Sequence, residues 1–385
     1  MVAIHILEKR ELNDMLTDQG KISANQLAFL VFPTIIATAI LSVPSITMRY
    51  AGHDMWLTPI IGSLFGLATI GLSIGLHRLY PGKTLIQASP YICGKWLGKI
   101  VSLLFLWQLP HLTGLIIRQY GEFITSTALP STPLYVVMGT MVIVCALNVR
   151  LGIEVVGRTG QVFVTLVVVL FCGICLLLIG ELDPAEILPF MERGILPSLK
   201  GSLAPAAWFS EYIIIAFLIP NVNQKQGLTR SMLISLLVTT VAMIASNLFC
   251  LFLMGDLTDS FAYPFMIATR YITIADFLQH IEAVVIAIWI FGIFVKISVF
   301  LYLFVTSVAE WLNMEDYRPI VFPLSFLCLV FAYWVASGQS SIASLLGSSA
   351  NVYTLAFLLF IPAILYVIAL LKRLFHGRRK GSEPL

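Results

Sequence analysis

Apolar positions in this chain gather into long runs separated by short polar links. The runs cover 25–49, 55–79, 97–129, 133–149 and 157–180, and, after a link at 181–203, 204–221, 229–254, 280–309, 319–337 and 345–371. A helix needs about 17–25 mostly apolar residues to cross the hydrocarbon core of a bilayer. The pattern therefore predicts ten membrane-spanning helices, five on each side of the link.

Two spans are interrupted. Span 1 carries Thr38, Ser42 and Pro44 within "IIATAILSVP". Pro44 has no N–H and its ring crowds the carbonyl four residues earlier, that of Ile40. One reading is a kink repaired by hydroxyls bonding back to carbonyls. The other is a break near Ala37 to Leu41 that frees backbone N–H groups for a ligand. Span 6, "PAAWFSEYIIIAFLIP", has a proline at each end and Ser210 and Glu211 near its middle. A glutamate at that depth costs about 2.5–3.5 kcal/mol or more unless paired or wet. Spans 1 and 6 open the two halves and run in opposite directions, the arrangement that marks a central site in inverted-repeat transporters.

Composition agrees with a membrane protein: 59% of residues are hydrophobic and 11% charged, against about 45–50% and 25% in soluble domains. The N-terminal twenty residues mix charges and lack an apolar run before a cleavage site, so no secretory leader is expected. With the N-terminus in the cytoplasm, the inner links hold Lys9, Arg10, Lys21, Arg78, Lys83, Lys95, Lys99, Arg150, Arg158, Lys225, Arg230, Arg318 and the basic tail. Only Arg49, Arg193, Lys200 and Arg270 fall outside. That bias puts both termini in the cytoplasm and leaves Arg118 and Lys296 within the membrane. The expected organisation is an N-terminal segment at 1–24, one transmembrane domain at 25–371 with repeats at 25–180 and 204–371, and a basic tail at 372–385. The tail suits anionic lipid, and nothing in it calls for nucleic acid.

The remaining chemistry lies in spans 3 and 8. His111, Arg118 and Glu122 share one helical face; Arg118 and Glu122 are expected either to pair structurally or to gate the outer half of a site. Gln108 and Thr113 are candidate cavity residues. Lys296 has apolar turns on both sides, too deep for comfortable snorkelling, and Glu211 is its first candidate partner. It would brace the helix or replace a coupling cation. Ser298 and Tyr302 share a different face, which is expected to line the cavity. Trp208 and Phe209 would wall an apolar group.

Other motifs carry little. Five of the six cysteines lie in apolar spans, and Cys172 and Cys175 form a C-x-x-C with no solvent or partner, so no disulfide, redox or metal site is expected. Gly71 to Gly75 spell G-x-S-x-G, but inside an apolar helix this is packing, not a hydrolase elbow. No histidine joins a nucleophile or a metal-ligand set, so neither an enzyme nor a cofactor is expected.

The strings "KISANQLAFLVFP", "ATAILSVP", "IRQYGEFITSTALPSTPL", "RLGIEVVGR", "ILPFMERGILP" and "YPFMIATRYITIADFLQHIEAVVIAIWIFGIFVKISVFLY" resemble the B subunits of the nutrient germinant receptors of endospore-forming bacteria, the spore germination permease family. The resemblance covers nearly everything between Lys21 and Leu371. It implies an all-α LeuT-like fold of about ten helices in a five-plus-five inverted repeat, with helices 1 and 6 interrupted, as in amino acid, polyamine and organocation transporters. It further implies a small nutrient germinant, typically an amino acid, partner A and C subunits, and residence in the bacterial inner membrane, which in the spore is the inner spore membrane. A glycine-rich G-x-G is expected at the first break, where this chain has Ala37 and Ala39, favouring a smaller pocket or a milder distortion.

The expected ligand site joins Ala37, Thr38, Ala39 and Ile40 to Gln108, Thr113, Trp208, Phe209, Ser210, Glu211, Ser298 and Tyr302. A carboxylate would meet the freed backbone N–H groups, which favours a small apolar amino acid. Two functions remain open at this point: a germinant sensor, and a proton-coupled amino acid transporter using Lys296 or Glu211.

Overall fold

The computed structural model describes residues 18–223, 225–269 and 281–380, the last five of these and Ile281 by backbone only. The first seventeen residues, Arg270 and the end of the tail lie outside the described residues.

Described elements are helical. Span 1 is α1 (Ala24–Ala51), joined through a 3-10 turn to α2 (Thr58–Leu79). A short α3 (Leu85–Cys93) precedes α4 (Lys95–Thr127), α5 (Leu134–Arg150) and α6 (Ile153–Leu178). After the link come α7 (Leu196–Gly201), then span 6 as α8 (Leu203–Ser210) and α9 (Ile214–Leu218), and α10 (Leu228–Met254). The chain continues through α11 (Pro264–Ala268), α12 (Ile281–Leu312) and α13 (Val321–Val335). It closes with α14 (Gln339–Gly347), α15 (Ser349–Leu355) and α16 (Ile361–Lys380). The ten apolar runs map onto ten crossings with boundaries moved by a few residues.

Burial sorts the crossings. The apolar windows of spans 1 and 6 are 78% and 94% buried, against 22% in α6 and 28% in α13. Spans 1 and 6 are therefore the axis of the bundle, and α6 and α13 lie at its periphery.

The interruption differs between the two axial spans. In span 6 the helix tightens to a 3-10 turn at Glu211–Ile213, which draws the chain in without freeing a run of backbone groups. Span 1 has no break: α1 is helical from Ala24 to Ala51 through Pro33 and Pro44. The carbonyl of Ile40 that Pro44 leaves without its helical donor has Ser246 Oγ of α10 3.5 Å away. A neighbouring helix thus offsets the proline, and alanines at 37 and 39 keep the backbone in the α region where glycines would let it leave.

One end of the bundle is sealed by the segment 18–22. The carboxylate of Asp18 accepts from the Gly20 N–H (2.8 Å), the Ile153 N–H at the start of α6 (2.9 Å), Tyr302 Oη (3.1 Å) and Tyr317 Oη (3.4 Å). Asn221 Nδ2 donates to the carbonyls of Asp18 and Gly20. Ile22 pairs in parallel register with Val222, its N–H on the Asn221 carbonyl and its carbonyl on the Asn223 N–H. Immediately beyond, Ser23 and Gln26 form the capping box that starts α1. This latch ties α1 to the ends of spans 5, 6 and 8, and Tyr317 extends it to the end of span 4 through the Val149 carbonyl.

Hydrogen bonds to a charged group contribute about 1.5–3 kcal/mol each, so the latch governs access at this end. A cysteine placed at Ile22, which is buried, is expected to react with a water-soluble maleimide about tenfold faster or more when Asp18→Ala is added. Site-resolved mass spectrometry reads the labelling; equal rates with and without the carboxylate would mean the latch does not seal this face.

Candidate functional site

Lys296 of α12 is 1% exposed. Its Nζ lies 3.1 and 3.0 Å from the two carboxylate oxygens of Glu211, and it donates to Thr38 Oγ1 at 2.8 Å. Trp208 Nε1 donates to the same threonine oxygen at 2.8 Å. Spans 1, 6 and 8 therefore meet at one buried knot, whose only ionic groups neutralise each other. Burying a charge without such a partner would cost several kcal/mol. The tight turn at Glu211–Ile213 brings the carboxylate to the lysine.

Two small cavities adjoin the knot. One, of about 30 Å³, is lined by Thr38, Trp208, Glu211 and Lys296, by Leu112, Ile116 and Gln119 of α4, and by Ala350, Asn351 and Thr354 of α15. The other, of about 40 Å³, rises from Thr38 along Leu41, Ser42, Ser45, Ile46 and Arg49, facing Gln119, Trp289, Tyr263, Gln339 and Ile342. Offsets of 3, 4, 7, 8 and 11 from Thr38 describe one face of an intact α-helix. The polar stripe exists because α1 is unbroken. Above it, Arg49 also borders an outer cavity of about 430 Å³ lined by His53, Asp54, Glu192, Arg193, Asp256 and Asp259. A column of mixed lining, with a stripe of polar side chains along α1, thus runs from the knot toward the face opposite the latch.

Several residues of the sequence-based set lie elsewhere. Ala37 and Ile40 border an apolar crevice on another side of α1, and Ala39 is in the core; on a continuous helix only Thr38 of the four turns to the column. Phe209 packs on α2, where a Cβ at Gly66 would stand 3.2 Å from its ring. Ser210 and Thr113 spend their hydroxyls on the carbonyls of Ala207 and Leu109. Gln108 is buried with neither amide atom bonded, and borders neither cavity described above. Ser298 is fully buried, and Tyr302 reaches Asp18 in the latch. The face of α12 that meets the column carries Lys296, not Ser298 and Tyr302; Tyr302 is also about 9 Å further along the helix. Arg118 pairs with Glu122 at 2.8 Å and sits over the Tyr333 ring of α13, outside the column.

Gln119, Trp289, Asn351 and Thr354 escaped the sequence reading. Trp289 had a signal: it precedes Lys296 by seven residues, two helical turns on the same face. The continuous helix leaves no free N–H groups at Ala39 to Leu41, so the backbone site expected for a carboxylate is absent. Among the described residues there is no cluster of metal-ligating side chains.

A model of the spore permease family, described as "Spore germination protein", matches residues 21–339. Spore germination protein KB of Bacillus subtilis (strain 168) is 23% identical over 377 residues, 95% of this chain and 99% of the relative. Spore germination protein YndE of the same organism is 21% identical, covering 96% of this chain and 100% of the relative. Among solved structures, a Na+-coupled sialic acid symporter in a substrate-bound outward-open state aligns with a TM-score of 0.63 at 13% identity, over 87% of this chain and 78% of that one. A nucleobase-cation-symport-1 family transporter in a closed conformation aligns with a TM-score of 0.55 at 13% identity, over 90% and 78%. At such identities the likeness is one of fold, and the fold is LeuT-like.

Breaking a buried ion pair from one side costs about 3–5 kcal/mol, because the other charge is left unpaired. Lys296→Met and Glu211→Gln are each expected to lose stability on that scale in detergent unfolding, and the double variant to lose clearly less than the sum. Additive losses would mean the two side chains act independently.

Proposed function

This chain belongs to the spore germination protein family, and from that membership we propose that it is the B subunit of a nutrient germinant receptor, binding a small nutrient in the column above Thr38. The observation that carries the reading is the Lys296–Glu211–Thr38 knot at the base of a polar column open toward the face opposite the latch. The favoured ligand is an amino acid. Its charged ends match the Arg49 guanidinium, the Gln119 amide and the hydroxyls of Thr38, Ser42 and Ser45, which together offer donors and acceptors for both signs.

Binding biases a conformational equilibrium. Thr38 Oγ1 already accepts from Lys296 and Trp208, so a ligand that bonds to this hydroxyl competes with the knot. It shifts the population only by its differential affinity for the arrangements in which spans 1, 6 and 8 separate. The latch carries that shift to the opposite face, where partner A and C subunits read it. In this scheme both termini and the latch are cytoplasmic, the column faces away from the cytoplasm, and the membrane is the inner membrane, the inner spore membrane in the spore. The division into repeats at 25–180 and 204–371 is part of the same proposal. The ligand leaves as it came, unconverted.

Active transport is the second reading, favoured by the fold of the symporters above. Purified protein in vesicles, offered labelled amino acids, separates the two. A sensor shows saturable binding with no accumulation above the binding stoichiometry. Gradient-driven accumulation in the absence of partner subunits would establish transport instead.

A further inference from the structure

The apolar crevice beside α1 is unexplained by the knot. It is lined by Ile36, Ala37 and Ile40 of α1, by Val285, Ile288 and Gly292 of α12 and by side chains of the neighbouring helices, with about 40 Å³ of free space. Two residues, Leu41 and Trp289, border both this crevice and the polar column. They are the wall between a polar chamber and an apolar one.

Trp289 is 4% exposed, yet its indole Nε1 has no hydrogen-bond partner. Its ring stacks with Tyr120 at 5.9 Å and leans on Phe123 at 4.2 Å, so packing fixes the ring and leaves the donor unused. A buried donor left unpaired costs about 1–3 kcal/mol, which a ligand acceptor would recover. Gly292, one turn further along α12, keeps the crevice open near Ala37: a Cβ there would stand 3.1 Å from the alanine methyl.

Resting on the reading of the column as an amino-acid site, we infer that the crevice is its side-chain subsite and that the receptor selects a branched aliphatic α-amino acid. The carboxylate accepts from Trp289 Nε1, the ammonium group lies among the hydroxyls of α1, and the alkyl group passes Leu41 into the crevice. The space matches that ligand. A water-sized group needs about 10–15 Å³ of such volume, so the crevice takes about three, close to the carbons of an isopropyl or isobutyl group. A sugar, polar on every side, would leave hydroxyls unpaired against this lining.

Calorimetric titration of the purified full-length protein with L-alanine, L-valine, L-leucine and D-glucose tests the inference. Each methylene buried tightens binding about fourfold, so L-valine is expected to bind about tenfold or more tighter than L-alanine, with glucose silent. Ile40→Ala enlarges the crevice and should raise the leucine-to-valine affinity ratio about fourfold. Trp289→Phe retains an aromatic ring and removes the donor. It should weaken all three amino acids about tenfold while leaving the valine-to-alanine ratio intact, with the unliganded melting temperature reporting that the fold is preserved. Binding of amino acids with no valine preference, or an Ile40→Ala ratio that does not move, overturns the subsite and leaves the receptor reading standing; the crevice is then a lipid-facing groove. Binding of no amino acid overturns both.

Discussion

A lysine ammonium buried among helices must find its counter-charge inside the protein, and in this chain that requirement organises the bundle. Lys296 can be buried only where Glu211 is buried too, and its ammonium group takes a further acceptor oxygen beside the carboxylate. Thr38 supplies that oxygen, and Trp208 bonds to it from another direction. Three spans from distant parts of the chain are thereby held at one depth and one rotation. The 3-10 turn in span 6 permits that alignment, and the polar stripe of the unbroken α1 and the small cavities around Gln119 and Asn351 adjoin it. A hydrophobic replacement of equal volume could hold the helices as firmly.

The architecture was legible where it depends on bulk transfer energy. Ten apolar runs became ten crossings because hydrocarbon admits no unpaired backbone and so enforces helix. The Lys296–Glu211 contact was legible for the same reason: two charges that lipid cannot solvate have few partners to choose from. What escaped was decided by distant neighbours. Pro44 signals a missing donor, but not which neighbours surround the freed carbonyl, among them Ser246, two hundred residues away. Periodicity put Ser298 and Tyr302 on one face without saying which neighbour that face meets, and Tyr302 proved to serve Asp18. The latch itself was hidden in a polar segment that reads as an ordinary tail, since its worth lies in acceptors and donors contributed by spans 5, 6 and 8. Gln108, buried with both amide atoms unbonded, has no physical account in the surrounding structure.

The two ends of the molecule are built differently. At the latch, direct hydrogen bonds close the structure among main chain, carboxylate and tyrosine hydroxyls. At the opposite face, a cavity of about 430 Å³ narrows to a column with room for only a few water-sized groups. A solute entering there must push side chains aside to reach Thr38. The structure is thus closed by hydrogen bonds at the latch and approachable from the opposite face.

The unbroken α1 has a mechanical consequence. From Ile22 to Thr38 the chain climbs about 24 Å, nearly all of it along one helix clamped at its foot by the latch. A hinge in the middle would let the upper half swing while the lower half stayed still. A continuous helix instead joins the threonine to the clamp as one lever arm, with Pro33 between them as its most compliant point.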